Sequence, residues 1–160
     1  LPRAVAAPDD LAARSDLALG ALHSGMALAN AGLGAVHGFA APIGGLFPAP
    51  HGAVCAVLLA PVLRANLAAL RGRAPRHPVL ARLADVARWL TGDPAAPAEA
   101  AADFCAQLAR RLGLPSLGAW GVRPADVPAI VEKAAAASSM KGNPLPLTPA
   151  ELAAALASEL

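Results

Sequence analysis

The chain has 160 residues, of which 56% are hydrophobic, and a net charge of +2 from 13 basic and 11 acidic side chains. That length suits one domain with a sizeable core and argues against a multidomain reading. The basic residues are scattered, and their only cluster, RGRAPR at 71–76, has no aromatic residues interleaved as stacking platforms, so a nucleic-acid partner is not expected.

The apolar content is mostly Ala and Leu, Tyr is absent, and Val and Ile never alternate along a segment. These features favour helix over sheet and give the fold class as all-α, a helical bundle. LPRAVAAPDD at the start lacks a basic segment followed by an apolar one, so it does not read as a signal peptide. An apolar pattern then runs from about Asp9 to Ala40 as two helices or one bent one, and Pro42 with Gly44 and Gly45 is expected to end it. The next helix is expected to open with Pro50 at its first position and to reach about Leu70, bent by Pro61.

After a loop over RGRAPRHP, the segment 79–90 has apolar residues at helical spacing and stops at Thr91 and Gly92. AEAAADFCAQLARRLGLP is a further helix, closing on two arginines, Gly113 and Pro115 as a left-handed cap would. Another helix follows over 123–137. Thr148, Pro149 and Glu151 form a capping box that opens a last helix toward Leu160. The two cysteines, Cys55 and Cys105, make no CxxC or disulfide framework and read as reduced core thiols of a cytoplasmic protein.

The most informative stretch is GAVHGFAAPIGGLFPAPHG, residues 34–52, which contains no Asp, Glu, Lys or Arg and two of the four histidines, His37 and His51. A membrane hairpin is not favoured here, because the apolar residues are largely Ala and Gly, three prolines interrupt the run, and no Trp or Tyr marks its edges. On one straight helix the two imidazoles would stand ~21 Å apart, far too distant to share an ion whose histidine nitrogens lie at ~2.0–2.1 Å. Cooperation therefore requires the chain to turn back between them, and Pro42, Gly44, Gly45, Pro48 and Pro50 are the residues that could reverse it. The plainer alternative is a pair of hydrogen-bonded core or surface histidines beside an ordinary loop. Small residues around His37 (Gly32, Gly34, Ala35, Gly38 and Ala40) would admit a ligand or a second backbone. His23 is a candidate third ligand, Phe39 and Phe47 could wall a site, and His77 reads as a solvated loop residue. No GxSxG element and no GxGxxG after a strand is present.

GLGAVHGFAAPIGGLFPAPHGAVCAVLLAPVLRAN, residues 32–66, closely resembles the iron-containing alcohol dehydrogenase family, in which a histidine, a Pro-x-Gly-Gly element and a Pro-His-Gly helix start recur in this order. RRLGLPSLGAWGV and GNPLPLTPAEL resemble later segments of the same family, so the resemblance covers nearly the whole chain. It implies that residues 1–160 form the C-terminal all-helical metal and substrate domain of a dehydroquinate synthase-like two-domain oxidoreductase. The N-terminal nucleotide-binding domain would lie outside this chain. It further implies Fe(II), or Zn, as the metal, with His37 and His51 as two ligands and an Asp and a third His supplied from an earlier helix; Asp9 and Asp16 do not match that helix. NAD or NADP would bind mainly to the absent domain, and the reaction would be metal-polarised hydride transfer between a small alcohol and its aldehyde or ketone. Many family members have a proton-relaying histidine four residues after the first, where this chain has Ala41. That departure keeps open a maleylacetate reductase-like reduction of a keto acid. A non-catalytic helical module is the reading from another class, and the chain alone would be inactive or bind metal weakly. A homodimer, no nucleic acid and no membrane complete the expectations for its partners.

Overall fold

The computed structural model describes residues 1–160, all in helices and connecting turns with no strand. The helices are α1 (Pro2–Ala6), α2 (Leu11–Ala31), α3 (Ala35–Leu46), α4 (His51–Arg73), α5 (Val79–Thr91), α6 (Glu99–Arg111), α7 (Val127–Ala136) and α8 (Pro149–Ala157), with short 3-10 turns at Leu117–Trp120, Pro124–Asp126 and Ser138–Gly142. Most boundaries follow their local signals. The Asp10 carboxylate accepts from Ala13 N–H and opens α2, Gly92 closes α5 at φ 73°, and Gly113 follows α6 at φ 70°. Thr148 and Glu151 form the reciprocal capping box of α8.

α4 is the central element. Its apolar residues Val54, Val57, Leu58 and Val62 meet Phe39 and Ile43 of α3, Ile130, Val131 and Ala134 of α7, and Leu152 and Leu156 of α8 in one buried cluster, which Leu117 and Val122 complete. By length and composition α4 could cross a membrane, with a mean hydropathy of 2.0 over its most apolar window, but over half of that window is covered by the bundle. Its apolarity is accounted for by its place in the core. Pro61 lies inside α4, which continues to Arg73, beyond the Leu70 end anticipated from the sequence. α6 lies along α4, tied by the exposed pairs Arg64–Asp103 and Arg71–Glu99. α2 stands apart: it bends 105° from α3, packs chiefly on α1, and leaves Leu11, Leu19, Leu22, Met26 and Leu28 exposed.

One expectation is corrected. The helix containing His37 does not end at Pro42; α3 runs through Pro42, Gly44 and Gly45 to Leu46, and Phe47 N–H closes it on Ile43 C=O. An interior proline and two glycines should each weaken a helix, by roughly 3 kcal/mol and about 1 kcal/mol respectively. Burial of Phe39, Ala40 and Ile43 along one face of α3 overrides that local preference. The glycines simply face open space. Pro50, expected at the first helical position of α4, is instead its cap, in extended conformation at φ −61° and ψ 128°.

The start of α3 is held by side chains from distant sequence. Asn143 Oδ1 accepts from Ala35 N–H at 3.2 Å and from Asn66 Nδ2 at 3.3 Å, while Asn143 Nδ2 donates to Asn66 Oδ1 at 2.7 Å and to Leu145 C=O at 2.8 Å. Asn66 is the one buried polar residue, and it belongs to α4. This pair therefore locks the first turn of α3 to α4 and to the 143–145 segment. The same segment approaches the α2–α3 break so closely that a Cβ on Gly142 would strike the Leu33 carbonyl oxygen, and one on Gly38 would strike Met140. Gly34 and Gly38, on either side of His37, thus face the neighbouring Asn143 and Met140 side chains.

Asn143→Ala should lower the unfolding free energy by about 1–3 kcal/mol, because it strands the Ala35 N–H and the Asn66 amide. Urea denaturation reads this, and a loss under ~0.5 kcal/mol would contradict the locking role. The Glu151 carboxyl is held below its ordinary value of 4.5, first by the Thr148 backbone N–H and further by the Thr148 hydroxyl and Arg73. A depressed carboxyl stabilises the fold above its unfolded-state pKa, and that contribution disappears as pH falls through the folded value. Glu151→Gln should therefore be less stable than the parent chain at neutral pH and converge with it as the pH drops below 4.5; equal stability at pH 7 would refute this.

Candidate metal centre

His37 lies in the first turn of α3 and His51 is the first residue of α4, yet their ring centroids are 5.4 Å apart at an interplanar angle of 52°. The geometry between them is not a tight reversal. From His37 to Leu46, α3 advances about 14 Å at 1.5 Å per residue. To bring His51 beside His37, the next residues must carry the chain back over most of that length. Five residues spanning at most ~3.6 Å each are enough to do so. Phe47 (φ −131°, ψ 152°) and Pro50 (φ −61°, ψ 128°) are extended, with one compact bond from Ala49 N–H to Phe47 C=O between them. The segment 47–50 is thus a strap returning along α3. Pro50 is extended, Pro48 sits inside the tight turn closed by the Ala49 N–H to Phe47 C=O bond, and neither proline can continue a helix without loss. Of the five residues expected to reverse the chain, only these two lie in the return.

The two imidazoles have company that sequence reasoning missed. Cys55 sits four residues after His51, one turn further along the same face of α4, and its Sγ is 3.6 Å from His51 Nε2. Donor atoms of His37, His51 and Cys55 all lie within 4.8 Å of one another. His37 and Cys55 are half-buried and His51 is exposed, so the cluster opens at the surface. Burial, aided by the nearby His51, lowers the His37 pKa and favours the neutral ring, whose free lone pair can bind a cation. Burial pushes the Cys55 thiol up. The His51-x-x-x-Cys55 spacing is the sequence signal for this proximity, and Cys55 also packs against the main core cluster as a free thiol, as the sequence reading expects.

The other candidates are placed elsewhere. His23 is exposed on α2 and does not join the cluster. His77 lies in the turn before α5, where its Nδ1 accepts from Val79 N–H. Phe39, two residues from His37 and so on the opposite face of α3, is fully buried in the core, and Phe47 packs at the core edge near Gly121. Ala41 is exposed one turn beyond His37 and offers only a methyl group.

Two imidazoles and a thiol are suitable donors for a divalent transition metal, and their separation is compatible with a shared ion. Comparison with known proteins gives the family. The family model for the C-terminal region of Fe-containing alcohol dehydrogenases matches residues 1–160. The chain is 37% identical to 1,3-propanediol dehydrogenase of Klebsiella pneumoniae over 96% of its own length and 39% of that protein's. It is 37% identical to lactaldehyde reductase of Escherichia coli over 84% of its length and 35% of that protein's. The crystal structure of a 1,3-propanediol oxidoreductase superposes with a TM-score of 0.87 at 33% identity, covering 99% of this chain and 41% of that one. The chain thus spans about two-fifths of the length of the relatives it matches. On fold, motif and sequence alike, it belongs to the iron-containing alcohol dehydrogenase family.

Proposed function

We propose that this chain is the metal-and-substrate part of an NAD(P)-linked oxidoreductase that interconverts a small alcohol and its aldehyde or ketone. The observation that supports the reading most is the convergence of His37 and His51, whose ring centroids the return at 47–50 brings to 5.4 Å. The relatives' names, propanediol dehydrogenase and lactaldehyde reductase, give the substrate class as short alcohols and carbonyl compounds. A nucleotide-binding half carrying the nicotinamide, together with further metal ligands, belongs to this proposal and lies outside residues 1–160.

When bound, a divalent iron or zinc ion would polarise the alcohol oxygen and lower the cost of removing its proton. His37 and His51 hold the ion in this reading, each through one ring nitrogen, and their neutral forms are the ones that bind. The Asn66–Asn143 lock fixes the first turn of α3, and burial of α4 fixes the other end, so the two rings meet without further rearrangement. Next to His37 on its own helix, Ala41 can neither accept nor donate a proton. Proton transfer from the substrate therefore passes through solvent at the open face of the cluster or through a group beyond this chain.

His37→Ala and His51→Ala should each lower the affinity for Zn²⁺ or Fe²⁺ by at least about tenfold, since even residues that only orient a ligand cost that much. Equilibrium dialysis with elemental analysis reads the change. Unaltered metal content in the double variant, with helix content preserved by circular dichroism, would exclude these residues as ligands.

A further inference from the structure

α2 is the helix that the bundle leaves without a partner. Ala13 is its one buried residue, and no Asp, Glu, Lys or Arg occurs over 17–31. At 3.6 residues per turn, Leu11, Leu19, Leu22 and Met26 fall within an arc of about 80°, while Leu17 and Leu28 lie within about 20° of each other on the far side of the helix. Leu22 is 60% exposed and Leu28 47%, so both faces are bare. A helix that is apolar all round belongs inside a larger body of protein or in a membrane, not at a free surface.

We propose that α2 is the joint between this chain and the residues that precede it in a longer polypeptide, which pack as apolar segments on both of its leucine faces. The inference rests on the reading above that a further part of the enzyme lies outside residues 1–160, and adds where that part attaches. The chain matches the family model of a C-terminal region and spans about two-fifths of its relatives, so most of their length is available to supply the cover. Leu1 and Arg3 line one cleft with Ala13 and Asp16, so preceding residues would arrive at the base of α2. The other occupants fit less well. A second copy seated on α2 by a two-fold contact covers one face and leaves the opposite one bare. A bilayer span needs ~20 apolar residues in line, whereas the uncharged part of α2 covers only 17–31 and α3 turns away from it by 105°.

The test compares the 160-residue chain with the natural polypeptide that carries it together with its preceding residues. In both, Cys55→Ser and Cys105→Ser remove the native thiols, single Leu22→Cys and Leu28→Cys variants report on the two faces, and circular dichroism establishes that each is folded. The probe is dithionitrobenzoate, read by absorbance. In the 160-residue chain both new thiols should react at close to the rate of a cysteine in a short peptide. In the longer polypeptide both should react at least about tenfold more slowly, because the reagent then waits for local opening. Hydrogen exchange over 17–31 in the two unsubstituted proteins makes the same comparison, and protection should rise in the longer one. Equal rates at either position, or a natural polypeptide with no preceding residues, would overturn the proposal. So would protection that grows with the concentration of the short chain, which assigns α2 to a second copy, or protection that requires phosphatidylcholine vesicles, which assigns it to a membrane. Metal content of the unsubstituted longer polypeptide separates the two readings. If it binds iron or zinc while both faces react freely, the docking fails and the functional reading stands; if both faces are protected and no metal binds, the reverse holds.

Discussion

The candidate centre depends on a constraint of length. α3 carries the chain about 14 Å away from His37, and the residues before α4 carry it back. A tight glycine turn after Leu46 would have started α4 at the far end of α3, with the two histidines on opposite ends of a hairpin. The return at 47–50, extended at Phe47 and Pro50 and folded tightly at Pro48, instead starts α4 beside the first turn of α3. Two helix N-terminal regions are thereby placed side by side, and the cluster forms where they meet.

The rest of the bundle keeps that placement from drifting. α4 is the most deeply packed helix, so its first turn has little freedom to move relative to the core. α3 has an unfavourable composition, with an internal proline and two exposed glycines, and it depends on Phe39 and Ile43 being buried and on Asn143 accepting from Ala35 N–H. The glycines at 38 and 142 permit the close approach of the Ser138–Gly142 turn that makes this side-chain cap possible. Stability and site geometry are therefore coupled at the start of α3. Loss of the Asn66–Asn143 pair would loosen the helix that bears His37 before it disturbed the core.

Much of this was legible in the sequence, and the failures share a cause. Caps with local chemistry, such as Gly92 after α5 and Thr148 with Glu151 at α8, were readable because their energetics involve neighbours in sequence. Pro42, Gly44 and Gly45 were misread as a helix stop because the burial that overrides them comes from α4 and α7, remote in sequence. The need for His37 and His51 to converge followed from distance alone, but not the path by which they do. Cys55 belongs to the apolar pattern of α4, as the sequence reading expects, and its approach to His51 follows from their spacing of one helical turn. The Asn66–Asn143 pair, 77 residues apart in sequence, left no local trace.

The central claim is that the strap at 47–50 folds two histidines of one chain onto a single metal ion. Anomalous diffraction at the zinc edge from crystals of the chain grown with Zn²⁺ tests it most directly. The account predicts one anomalous peak about 2.0–2.1 Å from a ring nitrogen of both His37 and His51. A peak bound to only one of them, or zinc held elsewhere while the two rings stand apart, would contradict it.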